Sequence, residues 1–250
     1  MLTITFDVEP DLHSQNYRSV TEGLVRIISI LDKYKIKATF FLTCDCLEKY
    51  PKIFQKLKNE GHELALHGYK HVRFDLLTRK EKEIHLQKAI SCFQKYLKIN
   101  PKGFRAVQHS IDNETLILLE KYGFRYDSSF TPLNLLQLFF FPLKKQSYTH
   151  FFSSLDKYKI RGNLSELPIS SFFFPFVSLL FRAFPLSLIN IYFSVLKLIT
   201  KNQVFYAHSW DFIDVKGKIA RTFPKEKLIS NLDRFLNANK NKFSKLIDLT

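Results

Sequence analysis

Gly61-His62-Glu63-Leu64-Ala65-Leu66-His67-Gly68-Tyr69-Lys70-His71 is the stretch on which the reading of this chain turns. Gly61 reads as a helix stop after the amphipathic segment Leu47 to Asn59. Glu63 to Leu66 is a short apolar strand, and it delivers two imidazoles four residues apart. On one turn of helix, side chains at that spacing share a face, so His67 and His71 could both reach one metal ion. His62-Glu63 invites comparison with the H-E-x-x-H metalloprotease helix, but His67 follows His62 by five residues and falls off that face. Helix, stop, strand and loop make up one unit, and the unit repeats on both sides.

Upstream, Leu2 to Phe6 is a strand that runs into the acidic loop Asp7-Val8-Glu9-Pro10-Asp11, where Pro10 ends further pairing. Thr21 to Tyr34 has helical spacing at Leu24, Ile27, Ile28 and Leu31, and Ala38 to Leu42 is the second strand. Downstream, Thr78-Arg79-Lys80-Glu81 is a capping box opening a helix to about Leu97, which Pro101 stops. Gly103-Phe104-Arg105-Ala106 leads into a loop, Asp112 to Tyr122 is a helix closed by Gly123, and Phe124 to Tyr126 is a strand. Val204 to Ala207 is a strand ending at His208, Pro224 opens a helix to about Ala238, and Lys245 to Leu249 reads as a final strand. Such alternation predicts a parallel sheet or barrel with helices outside, its chemistry on loops after the strands' C-terminal ends.

The 250 residues suit one α/β domain, with 7 Gly, 9 Pro and no fixed-period repeat to suggest a linker. Cys44, Cys46 and Cys92 make no disulfide framework and read as reduced thiols. The start, Met-Leu-Thr-Ile-Thr-Phe, shows no secretory leader, so the expectation is a cytoplasmic protein, peripheral at the membrane. A net charge of +15 favours partners bearing phosphate or carboxylate. The lysines are scattered along amphipathic helices, which disfavours nucleic acid. From Leu133 to Thr200 the pattern blurs, with Phe139 to Phe141, Phe172 to Phe176 and an apolar run from Val177 to Ile199. Arg182, Pro185, Asn190 and Lys197 interrupt that run, which leaves a buried helix pair or an interfacial amphipathic segment.

Three carboxylates in five residues, Asp7, Glu9 and Asp11, repel one another unless a cation or an Arg compensates them. With His67 and His71, one of them completes a two-His, one-carboxylate set with open positions, as catalytic zinc or iron sites require. Arg105 is placed to hold Asp7 ionised, and His208 at a strand end is a candidate general acid. Glu166 is a weaker candidate to orient such a His and reads as a surface carboxylate, Trp210 reads as packing, and His13, His62, His85, His109 and His150 offer no constellation.

These segments together resemble the polysaccharide deacetylase family, the NodB homology domain of carbohydrate esterase family 4. The resemblance covers the first 130 residues and resumes near Ser165. Thr5-Phe6-Asp7-Val8-Glu9 looks like the family's first motif, Ala38-Thr39-Phe40-Phe41-Leu42 its second strand, Gly61 to His71 its metal-binding motif, and Gly103-Phe104-Arg105-Ala106 its Arg motif. Gly123 to Ser129 and Phe205-Tyr206-Ala207-His208 are also similar to family segments. Val107 stands where the family commonly has Pro, Glu9 stands for an Asp with Asp11 as rival, and the Asp-rich fourth motif is not found. The resemblance implies a distorted (β/α)7-type, TIM-barrel-like fold with an apolar insertion around 133–200. It also implies a metal-dependent hydrolase removing N-acyl, first N-acetyl, from an amino sugar in a glycan or a lipid- or nucleotide-linked saccharide. By that correspondence Asp7 is the base, Glu9, His67 and His71 hold a divalent metal, zinc first, Arg105 keeps Asp7 charged, and His208 is the acid. The alternative is a catalytically degenerate member acting as a glycan- or membrane-binding module.

Overall fold

The computed structural model describes residues 1–11, 14, 16–135, 150–215, 222–239 and 242–250. His13 and the Phe139–Phe141 cluster lie outside the described residues. The fold is α/β. Among the described residues, seven successive parallel strands form a curled sheet in the order β10 (Gln203–His208), β1 (Leu2–Val8), β2 (Thr39–Thr43), β3 (Glu63–Gly68), β4 (Gly103–Phe104), β5 (Tyr126–Asp127) and β7 (Leu164–Glu166). β6 (Tyr158–Arg161) flanks β7 antiparallel, and β11 (Phe243–Ser244) touches the start of β1. Between β7 and β10, residues 169–177 complete the wall: Ser170 N–H donates to Val204 O and Tyr206 N–H to Phe176 O. The hairpin β8 (Ser171–Phe172) and β9 (Phe174–Pro175) projects from this segment. The result is a distorted (β/α)7-type barrel, and the stretch read as an apolar insertion supplies its seventh strand.

The two-residue period of a strand sorts side chains between two cores. From β1, Leu2, Ile4, Phe6 and Val8 point to the outer core beneath the helices, while Thr3, Thr5 and Asp7 are buried on the opposite face. That face belongs to the smaller inner core with Phe41, Ala65, Tyr126, Val204 and Tyr206. The same parity turns His67 and His208 inward with Asp7, and register sets Asp7 beside Phe41 on one neighbour and His208 on the other.

The outer helices follow their sequence signals with some differences. A π-type turn, Ser19–Leu24, leads into α1 (Val25–Lys33). The segment expected as one helix from Leu47 is two, α2 (Cys44–Lys49) and α3 (Pro51–Asn59), because Pro51 lacks the N–H that continuity requires and instead starts a new helix. α4 (Arg79–Leu97) opens with the expected capping box, Thr78 Oγ1 accepting from Glu81 N–H and Glu81 Oε2 from Thr78 N–H at 2.8 Å. Thr78→Ala is therefore expected to lower stability by about 1 kcal/mol, read from a denaturant midpoint with unchanged slope. α5 (Asn113–Lys121) is capped by Asp112. α6 (Ser178–Ala183) and α7 (Leu186–Ile199) precede β10, and α8 (Lys225–Asn239) follows it. The expected last strand is wrong: only Phe243–Ser244 pairs, and Leu246–Leu249 is a 3-10 turn, held by Leu246 N–H on Thr39 Oγ1 and Ile247 N–H on Glu63 Oε2.

Candidate active site

Asp7 is the last inward residue of β1 and is almost wholly buried. Arg105, just past β4 and with no exposed surface, donates from Nη1 to Asp7 Oδ1 at 2.9 Å and to Thr5 Oγ1 at 3.0 Å. Its Nε donates to Ser128 O and its Nη2 to Ser128 Oγ, while its guanidinium carbon stands 4.1 Å over the Phe41 ring. A buried cation is tolerable only when its donors are used and a counter-charge is close, and both conditions hold here.

His67 ends the inward face of β3. Its Nδ1 lies 2.8 Å from Arg105 O, an oxygen that can only accept, so Nδ1 carries a proton and Nε2 faces the barrel mouth. Nε2 is 3.6 Å from Asp7 Oδ2 and 3.3 Å from Glu9 Oε2. The spacing of His67 and His71 is not a helical one, contrary to the simplest reading of the sequence. The chain leaves β3 through Gly68 at φ +120°, where a Cβ would meet Lys70 O at 2.9 Å, and folds back so that His71 Nε2 reaches 2.7 Å from Glu9 Oε2. Only glycine takes that backbone conformation without strain.

Glu9 Oε2 is buried and lacks a hydrogen-bond donor in bonding geometry, although two ring nitrogens stand within 3.3 Å of it. The donor atoms of Glu9, His67 and His71 all lie within 4.8 Å of one another. Burial alone would raise the Glu9 carboxyl, but the facing His67 and His71 rings hold it well below the usual range. An orphaned carboxylate oxygen converging with two imidazoles, one already oriented by a backbone carbonyl, fits a divalent cation. Asp11 does not compete: its Oδ1 accepts from Ser19 N–H at 2.6 Å and is committed to that turn.

His208, on β10, faces the same space, its Nε2 3.8 Å from Glu9 Oε1 and 2.5 Å from the Tyr206 hydroxyl. Burial works against charge on this ring, but Asp211 and Glu9 outweigh it and raise its pKa. Its carboxylate neighbour is Asp211, with Nδ1 to Oδ2 at 3.6 Å, and not Glu166 as considered from sequence. Asp211 is fixed by Ser178 Oγ and by the buried Arg182, which had read only as an interruption of an apolar run. Trp210 also has a task beyond packing. Its ring stacks on His208 at 4.1 Å and its Nε1 donates to Glu9 Oε1 at 2.8 Å.

Glu166 is a buried residue of β7, which corrects the surface reading. It opposes Asp127 in register across β5 and β7. Burial pushes Asp127 up to about 6, and burial together with the Asp127 charge pushes Glu166 well above its usual range, so the pair keeps a proton between them. Asp127 accepts from Ser129 N–H and Oγ, and Glu166 from Phe130 N–H. The pair thereby fixes the loop whose Ser128 holds Arg105. Among residues left without a constellation, His109 packs edge-on against Tyr206 at 5.0 Å, and burial with the nearby Arg105 lowers it to about 3. The loop carrying it has no Pro at Val107 and instead turns through Gln108 and His109 at positive φ.

A family model described as polysaccharide deacetylase matches residues 1–126. The chain is similar to a "Peptidoglycan deacetylase-like protein FGM2" of Gibberella zeae, 36% identical over 109 residues, covering 43% of this chain and 32% of that one. It is also similar to a "Peptidoglycan deacetylase" of Helicobacter pylori, 30% identical over 128 residues, covering 49% and 44%. The chain thus spans less than half the length of these relatives. In fold it superposes on a crystal structure of Puue allantoinase with a TM-score of 0.72 at 14% identity, over 99% of this chain and 87% of that one.

Proposed function

The chain belongs to the polysaccharide deacetylase family, and on that premise we propose that it hydrolyses the N-acyl group, N-acetyl first, of an amino sugar. The observation that carries the reading is the convergence of Glu9, His67 and His71 on one point with Asp7 beside it, 3.6 Å from His67 Nε2. The similarity to a peptidoglycan deacetylase and a peptidoglycan deacetylase-like protein supports an N-acetylated sugar as the substrate class. A carrier-linked saccharide, lipid-linked first, is our finer assignment, supported by the apolar, Phe-rich wall of residues 172–176 that follows the site's seventh strand.

Glu9, His67 and His71 would hold a divalent cation, zinc first, which when bound supplies Lewis acidity to the amide oxygen and to the attacking water. Asp7, held as a carboxylate acceptor by Arg105, takes the proton of that water. His208, across the site, gives a proton to the departing amine as the carbon–nitrogen bond breaks. Tyr206 and Trp210 fix the His208 ring from its edge and its face, and Asp211 stands at its other nitrogen. The products are the carboxylate of the acyl group and the free amino sugar.

The test is mass spectrometry of N-acetylated and lipid-linked amino sugars incubated with the protein and zinc. Loss of one acyl mass, with stoichiometric release of acetate, is the expected result. Intact substrates throughout, from folded protein carrying one zinc per chain, would defeat the reading. Trp210→Phe keeps the stack on His208 but removes the donor to Glu9 Oε1. Zinc affinity should fall about tenfold in a competition titration, as expected when a partner that orients a ligand is lost.

A further inference from the structure

The exposed side of α7 carries an apolar stripe beside its polar residues Ser187, Asn190, Ser194 and Lys197. Its inward residues Ile189, Phe193 and Leu196 are buried, with Phe193 stacked on Phe176 and edge-on to Phe235. Its outward residues Leu188, Ile191 and Leu198 are 48%, 62% and 87% exposed. Positions three and seven apart continue one stripe along a helix, so these are not isolated exposures. Phe184 at the α6–α7 turn and Phe174 on the β8–β9 hairpin extend the surface, and with Leu188 they line an apolar groove of about 160 Å³.

The charge pattern is equally one-sided. No Asp or Glu occurs between Glu166 and Asp211, and the cations of that interval are Arg182, Lys197 and Lys201. Arg182 is buried against Asp211, whereas Lys197, Lys201 and Lys242 line a cavity of about 620 Å³ beside Leu198, at the C-terminal end of α7. The one carboxylate lining that cavity, Asp156, has its Oδ1 engaged by the N–H groups of Lys201 and Asn202.

We propose that this face docks on an anionic phospholipid surface. α7 lies in the plane of the interface, with Leu188, Ile191 and Leu198 at the level of the acyl chains and Lys197, Lys201 and Lys242 against lipid phosphates. Among the described residues no helix is long and apolar enough to cross a membrane, so the contact is peripheral. A second copy of the chain is a poorer occupant: an isologous contact sets like surfaces together, and among the described residues the carboxylate beside these lysines, Asp156, already accepts from the N–H groups of Lys201 and Asn202. The inference stands apart from the hydrolase reading, but the two meet structurally. Phe176 O, just before α6, accepts from Tyr206 N–H, on the strand that carries His208.

The experiment is co-sedimentation of the full chain with phosphatidylglycerol-containing and pure phosphatidylcholine vesicles at low and high salt. Binding should be confined to the anionic vesicles and should weaken as salt rises. Ile191→Ser with Leu198→Ser, both exposed, should weaken it by about tenfold or more. Lys197→Gln and Lys201→Gln should each weaken it about fivefold, the effect of one basic residue at a charged membrane surface. No binding to anionic vesicles, equal binding to neutral ones, or binding unchanged in both sets of variants would overturn the proposal. Lipid-free dimerisation that the Ile191/Leu198 pair abolishes would also overturn it, by making the face a self-contact.

Discussion

Asp7→Asn is expected to lower kcat/KM for deacylation by about 10² to 10⁴-fold while leaving zinc content unchanged, because general-base assistance is lost and Glu9, His67 and His71 are untouched. The amide has almost the shape of the carboxylate, and its oxygen can still accept from Arg105 Nη1, so the geometry that positions Arg105 survives. Thr5 Oγ1, Ser128 O and Ser128 Oγ also continue to hold the guanidinium. What disappears is the only function of Asp7 that an amide cannot perform, acceptance of a proton. Steady-state kinetics beside metal analysis and circular dichroism decide the matter. A variant within threefold of the parent would mean that Asp7 is a structural partner of Arg105 and that another group takes the proton.

The second large effect belongs to Arg105. Arg105→Met leaves the Asp7 carboxylate buried without its counter-charge, a loss typically of about 3–5 kcal/mol. For a domain of this size the melting temperature should fall by on the order of 10 °C, followed by thermal denaturation. The same substitution should abolish measurable turnover, because Arg105 O also orients His67 through Nδ1 and the loop would move with the side chain. Adding Asp7→Asn removes the stranded charge, so the double variant should be more stable than Arg105→Met alone. If the two losses simply add, the pair is not coupled and Arg105 acts through Ser128 and the Phe41 ring instead.

Most of the barrel could be read from the chain because it rests on local periodicity. Val204 to Ala207 and Leu2 to Phe6 are short apolar runs at the right intervals, and a strand's alternation then forces Asp7, His67 and His208 to one side. The residues brought together were legible as types at strand ends; their neighbours were not. Trp210 meets Glu9 across 201 positions of sequence, and no pattern within either loop announces it. The Asp three residues after His208 was the available signal for Asp211. Glu166 misled because a lone carboxylate next to Leu167-Pro168 has every local mark of a surface residue, whereas its burial depends on register with Asp127. His67 and His71 come near one another without the helix that their spacing suggests, because Gly68 bends the chain back after β3.

β1 pairs with β2 on one edge and with β10 on the other, and these partners emerge at opposite times during synthesis. Glu9, His67 and His71, the residues proposed to hold the cation, are all synthesised before Arg105, whose carbonyl orients His67, and long before His208. Residue Gln203 must still travel back to Leu2 before β10 can zip alongside. Long-range parallel closure of this kind is slow compared with local helix and hairpin formation. Closure of the site by the strand that carries His208 is therefore expected to be a late step in folding.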